Sequence, residues 1–99
     1  MPKHNFSYLL AHYPETIEEM DETFTSHQFI LKLAQQHQRL YIKALHKYRD
    51  GPAPFRTVHG ILAKRLHDYP ELIELVRRDA SSRNIFRQRN PCAEWRKLK

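Results

Sequence analysis

Only two glycines stand among the 99 residues, Gly51 and Gly60. That is too few for a domain built on many tight β-turns, and they are too isolated for a phosphate-cradling loop. A single cysteine, Cys92, excludes an internal disulfide and any thiolate cluster for zinc, and it points to a reducing compartment. No run nears the ~18 consecutive apolar residues of a membrane span. Residues 1–5 lack the apolar core of a secretory leader. The expectation is a cytoplasmic protein with no membrane partner.

What is present is apolar enough to fold. Hydrophobic residues make up 40% and aromatics 11%, against 28% charged; a disordered tail lacks that much side chain to offset chain entropy. The length fits one domain over residues 1–99, since a second core would be too small to hold itself together. Charge divides that domain. Residues 1–25, with Lys3 against Glu15, Glu18, Glu19, Asp21 and Glu22, carry −4; residues 26–69 carry +6 and residues 70–99 carry +4. An acidic arm of residues 1–25 thus precedes a basic body of residues 26–99. Clustered cations attract phosphates over a Debye length of about 8–10 Å. The competing reading folds the acidic arm back onto the body and neutralises part of it.

Proline does most of the punctuation. Pro14 before Glu15 and Glu18 marks a helix start, because its missing N–H costs nothing in a first turn and glutamates there complement the helix dipole. Thr25 or Ser26 caps the next helix, with Gln28 where a capping-box partner of Thr25 belongs. Apolar residues from Phe29 to Tyr48 recur at helical spacing, and the polar stretch of residues 35–38 is either exposed or the junction of two shorter helices. Residues 49–54 form a loop. Residues 55–66 make a further helix despite Gly60, which signals a neighbour's close approach or mere tolerance, at about 1 kcal/mol relative to alanine. Pro70-Glu71 reads as another helix start before Leu72, Ile73, Leu75 and Val76, and Asn90 as the cap of a last short helix carrying Cys92 and Trp95. Together these segments predict an all-α fold, a single small bundle of four or five helices. The runner-up is a winged-helix α+β arrangement, with residues 72–76 and the pair Ile85-Phe86 as the wing. One echo stands out: Tyr13-Pro14-Glu15-Thr16-Ile17-Glu18 against Tyr69-Pro70-Glu71-Leu72-Ile73-Glu74. It fits a duplicated unit, or the same helix-start chemistry used twice.

Catalytic chemistry is not legible. The histidines His4, His12, His27, His37, His46, His59 and His67 are never three or four apart, so no helix face offers paired imidazoles; a metal site would need convergence from distant parts of the chain. Cys92 reads better as a small buried hydrophobe than as a nucleophile. Glu18/Glu19 and Glu71/Glu74 read as solvated first turns rather than acid–base pairs. The expectation is a non-enzyme with no cofactor, no metal and no small-molecule substrate.

Basic residues carry the rest. Arginine forks onto phosphate oxygens and guanine edges better than lysine, and residues 77–99 interleave arginines with Ile85, Phe86 and Trp95; Trp95 reads mainly as an anchor to the core. A helix–turn–helix can be drawn with residues 40–48 as support and residues 55–66 in the major groove, Arg56, Thr57, His59 and Lys64 reaching DNA. In the winged variant Arg77, Arg78 and Arg83 sit at the wing tip. The leading expectation is a small nucleic-acid-binding or regulatory protein, DNA favoured over RNA. Its phosphate contacts are Arg56, Lys64, Arg65, Arg77, Arg78, Arg83, Arg87 and Arg89, which must then gather on one face. The alternative is a helical protein–protein interaction module, a homodimer or adaptor, using the surplus of Tyr8, Tyr13, Tyr41, Tyr48 and Tyr69 with Phe6 and Phe24.

Overall fold

The structure, a computed structural model, describes residues 6–84 and 86–98. After a single turn α1 (Ser7–Leu10), α2 (Tyr13–Glu19) carries Pro14 in its first turn, as the sequence dictates, and buries Tyr13, Thr16 and Ile17. That i, i+3, i+4 spacing is one face of a helix. Its end is capped from far away: Lys97 Nζ donates to the carbonyls of Glu18 and Met20, both at 2.8 Å.

A short strand β1 (Thr23–Thr25) leads directly into α3 (Ser26–Gln36). The capping box is formed as expected. Gln28 N donates to Thr25 Oγ1 at 3.2 Å, and Thr25 N to Gln28 Oε1 at 2.9 Å. Helix α3 buries Phe29, Ile30, Leu33 and Ala34. His37, with φ −132° and ψ 59°, breaks it from α4 (Gln38–His46), so the polar stretch is a junction of two helices. Helix α5 (Pro54–Lys64) again starts on proline, buries Val58 and Leu62, and tightens into a 3₁₀ turn at Arg65–Asp68 that buries Leu66. A Cβ on Gly60 meets nothing within 4 Å, so tolerance, not helix packing, explains that glycine.

The last third overturns the all-α expectation. Residues read as helix form an antiparallel hairpin of β2 (Ile73–Arg83) and β3 (Arg89–Lys97), and with β1 they make a three-stranded sheet of order β1-β3-β2. The fold is α+β. Residues 73–76 do lie in a strand, which pairs with β3; Phe86 lies in the connecting turn, and Ile85, its partner in the expected wing, lies outside the described residues. Asn90 caps nothing; it opposes Ser82 in the ladder.

The physical reason is packing. Phe24, Trp95 and Leu75 stand opposite one another across the three strands, and Ile73 and Trp95 join the buried core where the sheet packs on α3. Trp95 Nε1 donates to Ser26 Oγ at 3.1 Å in the buried interior. Two irregularities in β2, between Leu75 and Arg77 and between Arg77 and Ala80, interrupt the alternation that would have announced a strand. Pro91 is tolerated because β1 reaches only Glu94–Arg96, leaving β3 flanked on one side at that point.

The aromatic surplus lies mostly inside. Phe6, Tyr13, Phe24 and Phe29 are buried, and Tyr8, Tyr41, Tyr48 and Tyr69 are half-buried. The apolar side chains left at the surface are others, among them Ile42, Phe55 and Phe86. No helix among the described residues is long and apolar enough to cross a membrane.

Candidate nucleic-acid interface

Helix α5 and the hairpin meet at the hairpin's tip. The rings of Phe55, in the first turn of α5, and Phe86, in the β2–β3 turn, pack edge to face with centroids 4.9 Å apart. Such a pair is worth about 0.5–1.5 kcal/mol beyond its burial, and here it fastens an otherwise projecting turn. The turn is further tied by Asn84. Its Oδ1 accepts from Phe86 N at 2.9 Å and from Gln88 N at 3.0 Å, while its backbone carbonyl accepts from Arg87 N at 2.9 Å. Asn does here what its short amide suits it for, replacing backbone partners in a tight turn.

This arrangement sorts the eight expected cations. Arg56 and Arg87 each follow one residue of the Phe55–Phe86 pair in sequence. Arg83 and Arg89 face each other at the end of the ladder, next to the same turn, and Arg89 Nη1 donates to Ser81 Oγ at 3.2 Å. Arg56, Arg83, Arg87 and Arg89 are exposed and, among the described residues, free of ion pairs. Arg78 is equally free but sits midway along the hairpin, where β2 is irregular. Lys64 lies at the far end of α5. Arg65 is half-buried and pairs with Asp68 at 3.0 Å; Arg77 pairs across the strands with Glu94 at 3.0 Å. Neither of those two is available without breaking a bond. The eight are therefore not one uniform surface: Arg83, Arg87 and Arg89 flank the hairpin turn, and Arg56 follows Phe55 in the helix that this turn packs against.

The acidic arm does not cover them. Glu15 engages His12 and His37, Glu19 accepts from Gln36, and Lys97 takes the end of α2. Among the described residues no arm carboxylate pairs with an arginine. Thr57 is exposed on α5 beside Arg56, as a groove-facing residue must be, but His59 is half-buried and turned to Tyr41, its Nε2 at 2.6 Å from the phenol oxygen.

Between α5, the start of α3 and β3 lies a cleft of about 330 Å³ lined by His27, His59, Gly60, Lys64, His67 and Cys92, among others. Burial holds His59 below its ordinary value, with His27 nearby adding to the effect, and burial lowers His27 too. Burial pushes the Tyr41 phenol up to about 12. At neutral pH the pair is thus a protonated phenol hydrogen-bonded to the Nε2 of a neutral imidazole.

A different cluster offers metal donors. His12, Glu15 and His37 place one ligand atom each within 4.8 Å of the others. Sequence spacing hides this group because His37 arrives from the α3–α4 junction. The Phe55–Phe86 contact was equally hidden, since nothing local links a helix start to a turn some thirty residues later. Compared with protein-family models, curated proteins and solved structures, the chain matches none.

Proposed function

We propose that the chain binds nucleic acid through the hairpin tip and the first turn of α5, using Arg56, Arg83, Arg87 and Arg89 on the phosphate backbone, with Arg78 and Lys64 as outlying contacts. Duplex DNA is the favoured ligand. The observation that carries this reading is the Phe55–Phe86 packing, which brings the first turn of α5, with Arg56 next in sequence, against the turn flanked by Arg83, Arg87 and Arg89. A helix with its side chains is about 10–12 Å across and the major groove about 12 Å wide, so α5 can lie in the groove with exposed Arg56, Thr57 and Lys64 available to the phosphates. Arg65 and Arg77 are left out, being held by Asp68 and Glu94.

The test is anisotropy of labelled duplex and single-stranded oligonucleotides across a salt series. Affinity for duplex falls steeply with salt, and neutralising one tip arginine weakens it across all sequences and lowers the log–log slope by about 1. No binding at low salt, or binding indifferent to salt, overturns the proposal.

A second reading rests on Ile42, 61% exposed on α4, and on Phe55, 41% exposed, which share a shallow hollow with Leu45, His46, Arg49 and Pro54. This surface suits a protein partner, and it predicts a complex that survives high salt in sedimentation.

A further inference from the structure

The geometry points to a divalent transition-metal site of the zinc class formed by His12, Glu15 and His37, independent of the basic tip. Glu15 Oε2 lies 3.1 Å from His12 Nδ1 and 3.0 Å from His37 Nε2. Two imidazoles and one carboxylate are a recurrent three-ligand set for zinc, with metal–ligand bonds of about 2.0–2.2 Å. Ligands on a tetrahedron with such bonds stand about 3.3–3.5 Å apart, so the two separations at Glu15 need to open only slightly to admit an ion, with the two imidazole nitrogens within 4.8 Å of each other.

The scaffold holds these groups where they are. His12 sits at the N-cap position of α2 and Glu15 lies in its first turn, while His37 joins α3 to α4. Next to them, Thr16 Oγ1 donates to Gln36 Oε1 at 3.2 Å and Gln36 Nε2 donates to Glu19, locking α2 against the end of α3. Ligands on supported element ends lose little freedom on binding.

Without an ion the arrangement is economical but crowded. One carboxylate oxygen serves two imidazoles stacked 3.8 Å apart with 23° between their planes. A metal lies in the plane of each ring it binds, so entry of the ion requires the rings to fan out, exchanging the stack for two nitrogen–metal bonds. Side-chain exposure of 34% at His12, 17% at His37 and 56% at Glu15 leaves the cluster open on one side, where solvent fills the fourth position.

The experiment titrates the full-length chain, stripped with chelator, with zinc alone and with cobalt(II) alone. The readouts are calorimetric stoichiometry, the visible absorption of low-coordinate cobalt, and the unfolding temperature. The expected result is one ion per chain, a raised unfolding temperature, and shifts of the His12 and His37 ring resonances on zinc addition. His12→Ala, Glu15→Gln and His37→Ala each weaken zinc by about 100-fold or more, beyond the 10–100-fold typical of losing an outer-shell partner. Cys92→Ser and His46→Ala leave it unchanged. Glu15→Gln retains the shape of the side chain and guards against a simple folding defect, checked by circular dichroism. Equal zinc affinity in the wild type and the three ligand variants, loss in Cys92→Ser instead, or no binding at micromolar zinc overturns the assignment.

Discussion

Tyr13 and Tyr69 stack with ring centroids 5.4 Å apart, and each phenol donates to a carbonyl in the segment that leads into the other: Tyr13 to Leu62 at 2.6 Å, Tyr69 to Leu10 at 3.0 Å. Two Tyr-Pro-Glu motifs thereby lock the first helices to α5. Tyr13→Phe leaves the stack but removes a buried hydrogen bond, and it is expected to cost about 1–2 kcal/mol. Tyr69→Phe, whose bond is only partly buried, costs less. Urea denaturation of both variants checks the order; a smaller loss for Tyr13→Phe contradicts it.

Gly60→Ala is expected to stabilise. The added methyl meets open space in the interior of α5, so the helix gains alanine's propensity of about 0.8–1.0 kcal/mol. A rise in the unfolding temperature is the measurement, and a fall shows that the cleft beside it is tighter than the structure has it.

Arg87 stands at φ 66°, in the left-handed region. An L side chain there costs about 1–2 kcal/mol, which glycine avoids. Arg87→Gly therefore raises stability while lowering nucleic-acid affinity, two effects of opposite sign from one substitution. Denaturation and oligonucleotide titration on the same preparation read both.

Acid weakens the fold through His59 and His27. Both are lowered from the ordinary 6.5 by burial, so above that value neither state takes a proton and stability is flat in this respect. As pH falls below about 6.5 the unfolded chain is protonated first, and stability is lost until the folded values are reached. His59→Gln keeps a hydrogen-bonding partner for Tyr41 and removes one of the two titrations. Its stability between pH 7 and pH 5 is expected to fall less steeply than the wild type's; parallel curves exclude His59 as a source.

Local chemistry announced much of the helical half. Pro14, the Thr25/Gln28 box and the polar break near His37 all act within a few residues of themselves, and each appears in the structure where its chemistry places it. The sheet was illegible for a related reason. Leu72, Ile73, Leu75 and Val76 satisfy helical spacing as well as a strand's, and only Trp95 and Phe24, distant in sequence, decide between them. The two echoing hexapeptides part in the same way. Ile17 is buried within a helix and Ile73 within a strand. The shared residues encode a start after proline, and the neighbours each segment finds decide whether the chain then coils or extends. That divergence also argues against duplication. At the candidate interface the arginines themselves were visible in the sequence, but which of them Asp68 and Glu94 neutralise depends on register and turn geometry.

The hydrogen bond from the Trp95 indole to Ser26 joins the sheet to the first residue of α3, with His67 edge-on at 4.8 Å. Because this is the chain's single tryptophan, its emission comes wholly from that seam. Any event that pries the hairpin from the helices, whether denaturant, acid or a ligand levering the arginine-bearing turn, will be visible as a change of colour without a dye attached.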